Sequence, residues 1–366
     1  MTNETRPPFR ADHVGSLLRP QELLDARAKA KSGEISAEQY RAVQERCVRE
    51  VVARQENLGL NVATDGEFFR DWWHVDFLAG FDGVEAFAGK AMVGFQGTEQ
   101  PLALHVTGKV KRTKPVFVDH FKFTRSVAKV TPKITIPAPA MLYHRVGREA
   151  ISEQAYPDLD ELWTDVTQAY REEIRDLYAA GCRYLQIDDV SFAYLCDTNY
   201  RETFRKRGED PDQLLRTYAQ AINRAIAERP KDMAVAVHTC RGNFVSTWAA
   251  SGGYEPVAET LFNDVNVDGY FLEFDSDRAG GFEPLRHVPK GKKIVLGLVT
   301  TKTPQMEAMD MLKRRIDEAA KYVDPGFLCV SPQCGFSSTH HGNKISMDDQ
   351  WRKLELVVNT AQKMFG

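Results

Sequence analysis

The sequence is poor in cysteine, in long apolar runs and in net charge, and each shortage excludes a class of protein. Its 366 residues include six cysteines, too few for a scaffold held by disulfides, so we expect most of them to be reduced. The formal charge of −3 gives no electrostatic reason to expect nucleic acid or an anionic membrane as a partner. No run of about 18 uninterrupted apolar residues predicts a spanning helix, and the polar start MTNETRPPFR has no signal-peptide core.

The composition is otherwise that of an ordinary globular protein. Hydrophobic residues make up 43% of the chain and charged residues 27%, which is enough to bury a large core. No short repeat or low-complexity segment interrupts the sequence. We therefore expect a soluble cytoplasmic protein without nucleic acid or membrane partners. The sequence leaves the oligomeric state open, a homo-oligomer included.

Eight apolar, β-rich segments alternate with helical stretches along the chain. The segments comprise residues 9–16, 60–67, 134–141, 184–190, 233–240, 269–274, 294–299 and 327–334. Amphipathic periodicity predicts helices over 36–58, 159–180 and 213–228, the first opened by a capping box at Ser36 and Gln39. Strands that alternate with helices form parallel sheets through right-handed crossovers, and eight such units close into a barrel. We therefore predict an α/β fold, a (β/α)8 TIM barrel forming one catalytic domain over residues 1–366.

One region does not follow this alternation. Residues 89–124 contain VGFQG, PLALHVTGKVKRT and PVFVDHFKF, which alternate between apolar and polar positions and have no helical period. This pattern is typical of antiparallel hairpins. We predict a β-rich insertion between the second and third barrel strands that shapes one rim of the barrel mouth.

Polar side chains follow the predicted strands at the points where the strands end. In (β/α)8 barrels the catalytic residues lie at the carboxyl ends of the strands, whereas apolar side chains fill their middles. The residues at these ends are Ser16, Glu67, Asp188, Asp189, His238, Cys240, Glu273, Lys302 and Cys334. The sequence therefore predicts that groups able to bind metals and substrates gather on one rim.

Four of these residues have the chemistry of a zinc site. Tetrahedral Zn²⁺ is bound by nitrogen, sulfur and carboxylate ligands. His238 and Cys240 form an H-x-C pair, Glu273 lies inside the apolar run GYFLEF, and Cys334 lies in the turn-forming segment SPQCGF. A packed histidine and a buried structural cysteine would explain the H-x-C pair alone, but a core glutamate is costly unless it is paired or bound to a metal. We therefore predict that these four residues bind one zinc ion.

Several segments together resemble the cobalamin-independent methionine synthases. VGSLLRP is similar to the G-S-x-x-R/Q motif of that family, DGEFFR to its G-E-x-x-R segment and QIDD to its I-D-E-P stretch. The catalytic barrel of the family binds zinc through an H-x-C pair, a later Glu and a late Cys in a P-x-C-G turn, in the same order as here. The resemblance covers nearly the whole chain, and the length implies a short form with only the C-terminal catalytic barrel.

The resemblance implies substrate roles for three further residues. It assigns Ser16 to contacts with the amino-acid substrate and pairs Glu67 and Asp188 with its ammonium group. Two carboxylates around one buried ammonium make chemical sense because a buried charge must be compensated. The alternative is structural: Ser16 caps a turn, and Asp188 or Asp189 caps the helix that follows.

The methyl-donor side departs from the family pattern. The family stacks folate on a tryptophan after P-V-T, where PAPAMLYHR places Tyr143, and Lys302 in TTKTP stands where the family has a proton-donating histidine. Trp72 and Trp73 offer another flat surface, although such pairs more often belong to a core or an interface. We expect Tyr143 to bind the donor and Lys302 to have a catalytic role.

The predicted activity is a zinc-dependent transfer of a methyl group to the thiol of homocysteine, which gives methionine. A thiol is largely protonated at neutral pH, and binding to Zn²⁺ would deprotonate it. The resemblance implies 5-methyltetrahydrofolate, or its polyglutamate, as the donor. The altered donor positions keep two alternatives open: methyl transfer from a corrinoid, and alkyl transfer or lyase chemistry on another thiol such as coenzyme M.

Overall fold

Parallel strands follow one another around the centre of the protein in the order of the chain. The structure, a computed structural model, describes residues 6–88 and 102–366. The strands are β1 (Val62–Ala63), β2 (Asp82–Ala88), β3 (Leu102–Lys111), β4 (Thr131–Pro132), β5 (Ile134–Pro137), β6 (Tyr184–Asp189), β7 (Ala234–Thr239), β8 (Gly269–Glu273), β9 (Lys293–Val299) and β10 (Leu328–Pro332). Six of them form one parallel sheet in the order β10-β9-β8-β7-β6-β5.

Two further connections close this sheet into a barrel. Strand β1 pairs in parallel with β4, which continues into β5 after one residue, so β1 extends the sheet at one edge. At the other edge Ala11 forms a parallel bridge with Val330 of β10. The amide of Leu17 donates to the carbonyl of Gly66, which joins the two ends. The predicted (β/α)8 TIM barrel is confirmed.

The first predicted barrel strand is much shorter than expected. Residues 9–16 contribute the single bridge at Ala11 and no longer strand. The carboxylate of Asp12 accepts hydrogen bonds from the amides of Phe9 and His13, at 3.2 and 2.8 Å. A side chain that binds local amides competes with the strand ladder, which explains the interruption.

Ten α-helices are seen in the described ranges 6–88 and 102–366, besides several shorter helical turns. They are α1 (Gln21–Ser32), α2 (Ala37–Asn57), α3 (Val75–Leu78), α4 (Val118–Val127), α5 (Leu159–Ala179), α6 (Ser191–Tyr194), α7 (Thr198–Lys206), α8 (Pro211–Ile226), α9 (Met309–Ala319) and α10 (Met347–Phe365). The predicted capping box is present at the start of α2. The helices predicted over 159–180 and 213–228 correspond to α5 and α8. None of these helices is long and apolar enough to cross a membrane.

The predicted β-rich insertion is partly wrong in its secondary structure. Residues 89–101 lie outside the described residues. Strand β3 is present as expected and pairs antiparallel with β2. Residues 118–127, in contrast, form helix α4, although we expected an alternating strand there. The buried side chains of α4 are Val118, Phe121 and Thr124, and this three-residue spacing is that of one helix face.

Alternate residues of the barrel strands share one buried face. Tyr184, Ala236, Phe271, Val295 and Cys329 belong to one apolar cluster and come from five successive strands. Successive side chains of a strand point to opposite faces, so residues two or four positions further along point the same way. This register carries Asp188, His238 and Glu273 to the same face at the carboxyl ends of their strands.

Candidate metal centre and substrate cleft

Three side chains with metal-binding atoms meet at the carboxyl ends of β7 and β10. His238 is the fifth residue of β7, Cys240 follows the last residue of that strand, and Cys334 lies two residues beyond β10. All three are buried, and their ligand atoms lie within 4.8 Å of one another. The structure thus brings together three of the four predicted zinc ligands.

The geometry of this triad fits a tetrahedral zinc ion. The Sγ atoms of Cys240 and Cys334 are 3.6 Å apart. A disulfide would need about 2.05 Å, whereas two sulfurs each about 2.3 Å from one zinc ion at the tetrahedral angle lie about 3.8 Å apart. Both ring nitrogens of His238 are buried, and no nitrogen or oxygen atom of the described ranges hydrogen-bonds them, while the thiol of Cys334 interacts with the ring. A buried imidazole whose polar neighbour is a thiol is poorly satisfied, and a metal bond would satisfy one of its nitrogens.

The predicted fourth ligand, Glu273, lies beside the triad but is not part of it. Its Oε2 accepts from the amide of Arg241 at 2.8 Å, and its Oε1 accepts from the guanidinium of Arg278 at 2.8 Å. The side chain is fully buried. Burial opposes its ionisation, but the charges of Lys302, Arg241 and Arg278 together hold the pKa of its carboxyl below the ordinary value. Glu273 is therefore an ionised carboxylate next to the triad, and its role as a ligand stays a prediction.

The two thiols of the triad differ in acidity. The thiol of Cys240 hydrogen-bonds that of Cys334 and holds the pKa of Cys334 well below its ordinary value, against the effect of burial. The charges of His238 and Lys302 act in the same direction. The hydrogen bond with Cys334, together with burial, raises the pKa of Cys240 well above its ordinary value, so the pair favours one thiolate, at Cys334, the form in which cysteine binds metals.

A cleft opens next to the triad, at the carboxyl ends of the strands. It has a volume of about 650 Å³, counted out to its opening. Among its lining residues are the three triad residues and the predicted substrate residues Ser16, Glu67 and Asp188. Side chains from the first, second, fourth, fifth and eighth positions around the barrel thus face one space. Barrel closure explains how residues from both ends of the sequence reach it.

Glu67 is held in a strained and buried position at the cleft. Its φ angle is +65°, which is unusual for a residue other than glycine, and it is 3% exposed. Its Oε1 lies 3.5 Å from the guanidinium of Arg70, while its Oε2 is buried without a hydrogen-bond partner in the described part of the chain. Burial raises the pKa of its carboxyl to about 7. A strained backbone that presents a buried polar oxygen is typical of a functional site.

Asp188 is the second buried carboxylate of the cleft. Its Oδ1 accepts a hydrogen bond from Nε2 of Gln186 at 2.6 Å. Burial raises its pKa to about 6, against the hydrogen bond from Gln186 and the nearby charges of His238 and Arg70. Asp189, the next residue, also lines the cleft and caps α6 through its contacts with Ser191 and Phe192. Of the two aspartates in QIDD, Asp189 therefore caps the helix, while Asp188 faces the cleft.

Ser16 fixes the edge of the cleft nearest to Cys334. Its hydroxyl accepts from the amide of Ser337 at 3.4 Å, and its carbonyl accepts from the amide of Phe336 at 2.9 Å. A Cβ atom on Gly335 would lie 1.9 Å from the Ser16 hydroxyl, so only glycine fits this close approach. The first and last barrel segments are therefore packed directly against each other at the site.

Besides Glu273, two of the predicted residues, Tyr143 and Lys302, are not among those that line the cleft. Tyr143 follows the short helix Pro139–Leu142, and its ring packs near that of Trp163, with centroids 5.9 Å apart. The ammonium of Lys302 donates to the carbonyl of Gly242 and to Oδ1 of Asn243, at 3.1 and 3.3 Å. Both acceptor residues line the cleft. Lys302 thus contacts the wall from behind, and the predicted donor-binding and catalytic roles of Tyr143 and Lys302 gain no support from their positions.

Aromatic side chains form the outer wall of the cleft. Trp72 and Trp73 line it, as does Phe244, whose ring stacks on that of Trp72 with centroids 6.0 Å apart and an interplanar angle of 11°. The sequence analysis singled out the tryptophans but missed Phe244, His74 and Arg145, which also line the cleft. Phe244 lies four residues after Cys240, and a search of the loops that follow strand ends would have included it.

Comparison with known proteins identifies the family. Residues 9–362 match the family model described as the catalytic domain of the cobalamin-independent synthases. The chain belongs to this family. The family resemblance expected from the motifs is therefore confirmed over nearly the whole chain, which matches the catalytic domain of this family.

Individual relatives of this chain agree with that assignment. The Bacillus subtilis protein YxjH is 46% identical over 99% of this chain and 96% of its own length. A solved structure from Listeria monocytogenes, described as a candidate vitamin-B12-independent methionine synthase, is 38% identical, covers 99% of both chains and has a TM-score of 0.79. A protein of Pyrococcus abyssi named methionine synthase is 22% identical over 88% of this chain and 84% of its own length.

Proposed function

We propose that this protein transfers a methyl group to the thiol of homocysteine, with Zn²⁺ as its cofactor, and so forms methionine. One observation carries the proposal: the triad of His238, Cys240 and Cys334 and the two carboxylates of Glu67 and Asp188 line the same cleft. A thiol-binding group and an ammonium-binding group in one space match the two ends of homocysteine. The family assignment supports the same reaction class.

The triad would hold the metal. His238, Cys240 and Cys334 supply one imidazole and two thiolates, and Glu273 is the nearby carboxylate available as a fourth ligand. A bound Zn²⁺ supplies Lewis acidity, which lowers the pKa of a thiol so that the thiolate predominates near neutral pH. The two cysteine thiolates keep the site electron-rich, which favours attack on a methyl carbon.

Glu67 and Asp188 would bind the amino group of the substrate. Both carboxylates are buried at the cleft, where water solvates them poorly. An ammonium ion bound between them would compensate their negative charges. In the proposed complex their charges fix the orientation of the amino acid and keep its sulfur at the triad. This charge pattern favours an amino-acid thiol over coenzyme M, whose sulfonate would be repelled by two carboxylates.

Trp72 and Trp73 would form the methyl-donor side. Their rings offer flat apolar surface in the cleft, which suits the pterin ring of 5-methyltetrahydrofolate. We propose this folate, or its polyglutamate, as the donor. Tyr143 and Lys302 do not line the cleft, so a corrinoid donor is the second candidate, because it would need neither a ring-stacking tyrosine nor an acid at Lys302.

The decisive experiment is product analysis with defined substrates. The zinc-loaded protein is incubated with homocysteine and, in separate reactions, with methylfolates carrying one or several glutamates or with methylcobalamin. Mass spectrometry should show methionine formation with a methylfolate. Methionine from methylcobalamin alone would establish the corrinoid alternative. Parallel reactions contain coenzyme M in place of homocysteine. If no donor methylates homocysteine while the same donors methylate coenzyme M, the proposed thiol substrate is contradicted.

A further inference from the structure

A column of polar side chains runs up β6 to the cleft. Tyr184, Gln186 and Asp188 are alternate residues of β6 and so point to the same face. The first two are fully buried, and Asp188 lines the cleft. The hydroxyl of Tyr184 donates to Asp12 at 2.8 Å, and Asp12 accepts from the ammonium of Lys133 at 2.9 Å. The interior of such a barrel is usually filled by layers of apolar side chains. Here polar side chains occupy part of that interior.

Gln186 connects this column to the cleft. Its Oε1 accepts a hydrogen bond from the ammonium of Lys133 at 3.1 Å. Its Nε2 donates two hydrogen bonds, to Oδ1 of Asp188 and to the carbonyl of Val14, each at 2.6 Å. Val14 and Asp188 both line the cleft, on different barrel segments. One buried amide therefore ties together the two walls that would enclose the amino-acid end of the substrate.

Lys133 determines which way the Gln186 amide faces. An ammonium group has three donors and no acceptor, so the amide end next to it must be the oxygen. The NH₂ end of Gln186 then has to face Asp188, where it acts as a donor. Lys133 itself is fully buried, and its other side-chain hydrogen bonds go to the carboxylate of Asp12 and the carbonyl of His13. Its position is therefore fixed by groups outside the cleft.

We propose that Gln186, oriented by Lys133, is a positioning residue that presents Asp188 to the substrate ammonium. The amide donor holds one carboxylate oxygen in place and favours the ionised form of Asp188, because a donated hydrogen bond stabilises the charged acceptor. The inference rests on the proposed homocysteine function. It adds that substrate selection depends on a buried group that does not line the cleft.

Two substitutions at Gln186 test this role. Gln186→Glu keeps the size of the side chain and an oxygen for Lys133 but replaces the donor that faces Asp188 by an acceptor. Gln186→Met keeps the length and removes every hydrogen bond. The matched control is Gln55→Met: Gln55 is also fully buried, but its amide bonds the backbone of Val51 and Thr64 and does not touch the cleft.

The measurement is the ratio of two affinities in zinc-loaded protein. Calorimetry gives the affinity for homocysteine and for its des-amino analogue, 4-mercaptobutyrate. We expect wild type and Gln55→Met to prefer homocysteine, and both Gln186 variants to lose this preference by about tenfold or more, the usual effect of removing a hydrogen bond to a charged group. Zinc content and affinity for the analogue should stay close to wild type.

Each other outcome is decisive. Equal weakening of both thiols in Gln186→Glu would show a purely structural role and overturn the inference. An unchanged preference in a folded, zinc-loaded Gln186→Glu would overturn it as well. If wild type binds the two thiols equally, the ammonium pocket itself is wrong, and the proposed function fails before the role of Gln186 is reached. If Gln186→Met does not fold, the Gln186→Glu result decides.

Discussion

The Sγ atoms of Cys240 and Cys334 lie 3.6 Å apart, although 94 positions separate the residues in the chain. The strands that carry them, β7 and β10, are not neighbours, since β8 and β9 lie between them in the sheet. Neighbouring strands lie about 4.8 Å apart, so in a flat sheet the three steps from β7 to β10 would place the thiols about 14 Å apart. Barrel closure is therefore what brings the two thiols together.

The first prediction concerns zinc content. Wild type should contain about one zinc ion per chain, and Cys240→Ser or Cys334→Ser should lose most of it, because a hydroxyl is a much poorer zinc ligand than a thiolate. Metal analysis of the purified variants gives the result. Cys182→Ser is the matched control, since Cys182 is also fully buried but its thiol contacts the carbonyl of Tyr184. Full zinc in both triad variants would eliminate the site.

A second prediction addresses Glu273. Its carboxylate is held by Arg278 and by the amide of Arg241, so Glu273→Gln should fold while losing the negative charge next to the triad. We expect zinc affinity to fall about 10- to 100-fold, the range observed when a group supporting a metal site is removed. Competition with a chelator measures this affinity. Wild-type affinity in the variant would mean that Glu273 serves only to pair Arg278.

The third prediction concerns the proton of the thiol. The ordinary thiol pKa lies near 8.5, so homocysteine is mostly protonated at pH 7, and binding as a thiolate must release a proton. Calorimetry in two buffers that differ in ionisation enthalpy should therefore give different binding enthalpies for the zinc-loaded protein. The difference should be smaller with methionine as the ligand, because a thioether has no proton to lose, whereas protons released by Glu67 and Asp188 on binding the ammonium are common to both ligands. Identical enthalpies for homocysteine in the two buffers would argue against a bound thiolate.

The fourth prediction tests the ammonium pocket. Glu67→Gln and Asp188→Asn remove one charge each at nearly constant shape, which should weaken homocysteine binding by roughly 2 to 5 kcal/mol. Binding of 4-mercaptobutyrate should change little, because this thiol has no ammonium. Zinc content serves as the internal control, since neither residue belongs to the triad. If both variants lose affinity equally for homocysteine and for 4-mercaptobutyrate, the two carboxylates support the structure of the cleft and do not bind the ammonium.

Much of the site could be predicted from the sequence because a barrel places strand ends together. The apolar runs that end in His238, Asp188 and Cys334 indicate strands, and the carboxyl ends of parallel strands share one rim. Strand order, which right-handed crossovers fix, is enough to bring these ends together, whatever conformation the loops adopt.

The remaining features depend on geometry that local patterns do not encode. The partner of Glu273 is Arg278, which lies in the short helix Asp277–Ala279 after β8. Tyr143 was placed from a motif, yet the turn after Pro139–Leu142 directs its ring towards Trp163. The alternation in PVFVDHFKF is compatible with both a strand and a helix, and packing of Phe121 selects the helix. Tertiary packing decides such cases.

The last prediction is a pH dependence of stability caused by Glu67. Burial raises the pKa of this carboxyl from 4.5 to about 7, so between these pH values the folded protein binds more protons at Glu67 than the unfolded chain does. Stability must then fall as the pH rises through this window, and the loss is complete above pH 7. This rise in the pKa of Glu67 corresponds to a loss of about 3 kcal/mol in the free energy of unfolding.

Glu67→Gln should remove that dependence. The free energy of unfolding is measured in urea at pH 5 and pH 8. Relative to wild type, the free energy of unfolding of the variant should rise by about 2 to 3 kcal/mol between these pH values, because the amide has no charge to bury. Glu153→Gln, at an exposed position, is the control and should follow wild type at both pH values. All three proteins contain the same triad, so titration of the metal ligands cancels in the comparison. A constant difference between Glu67→Gln and wild type would show that Glu67 is already ionised at pH 5, and that the arginine beside it outweighs its burial.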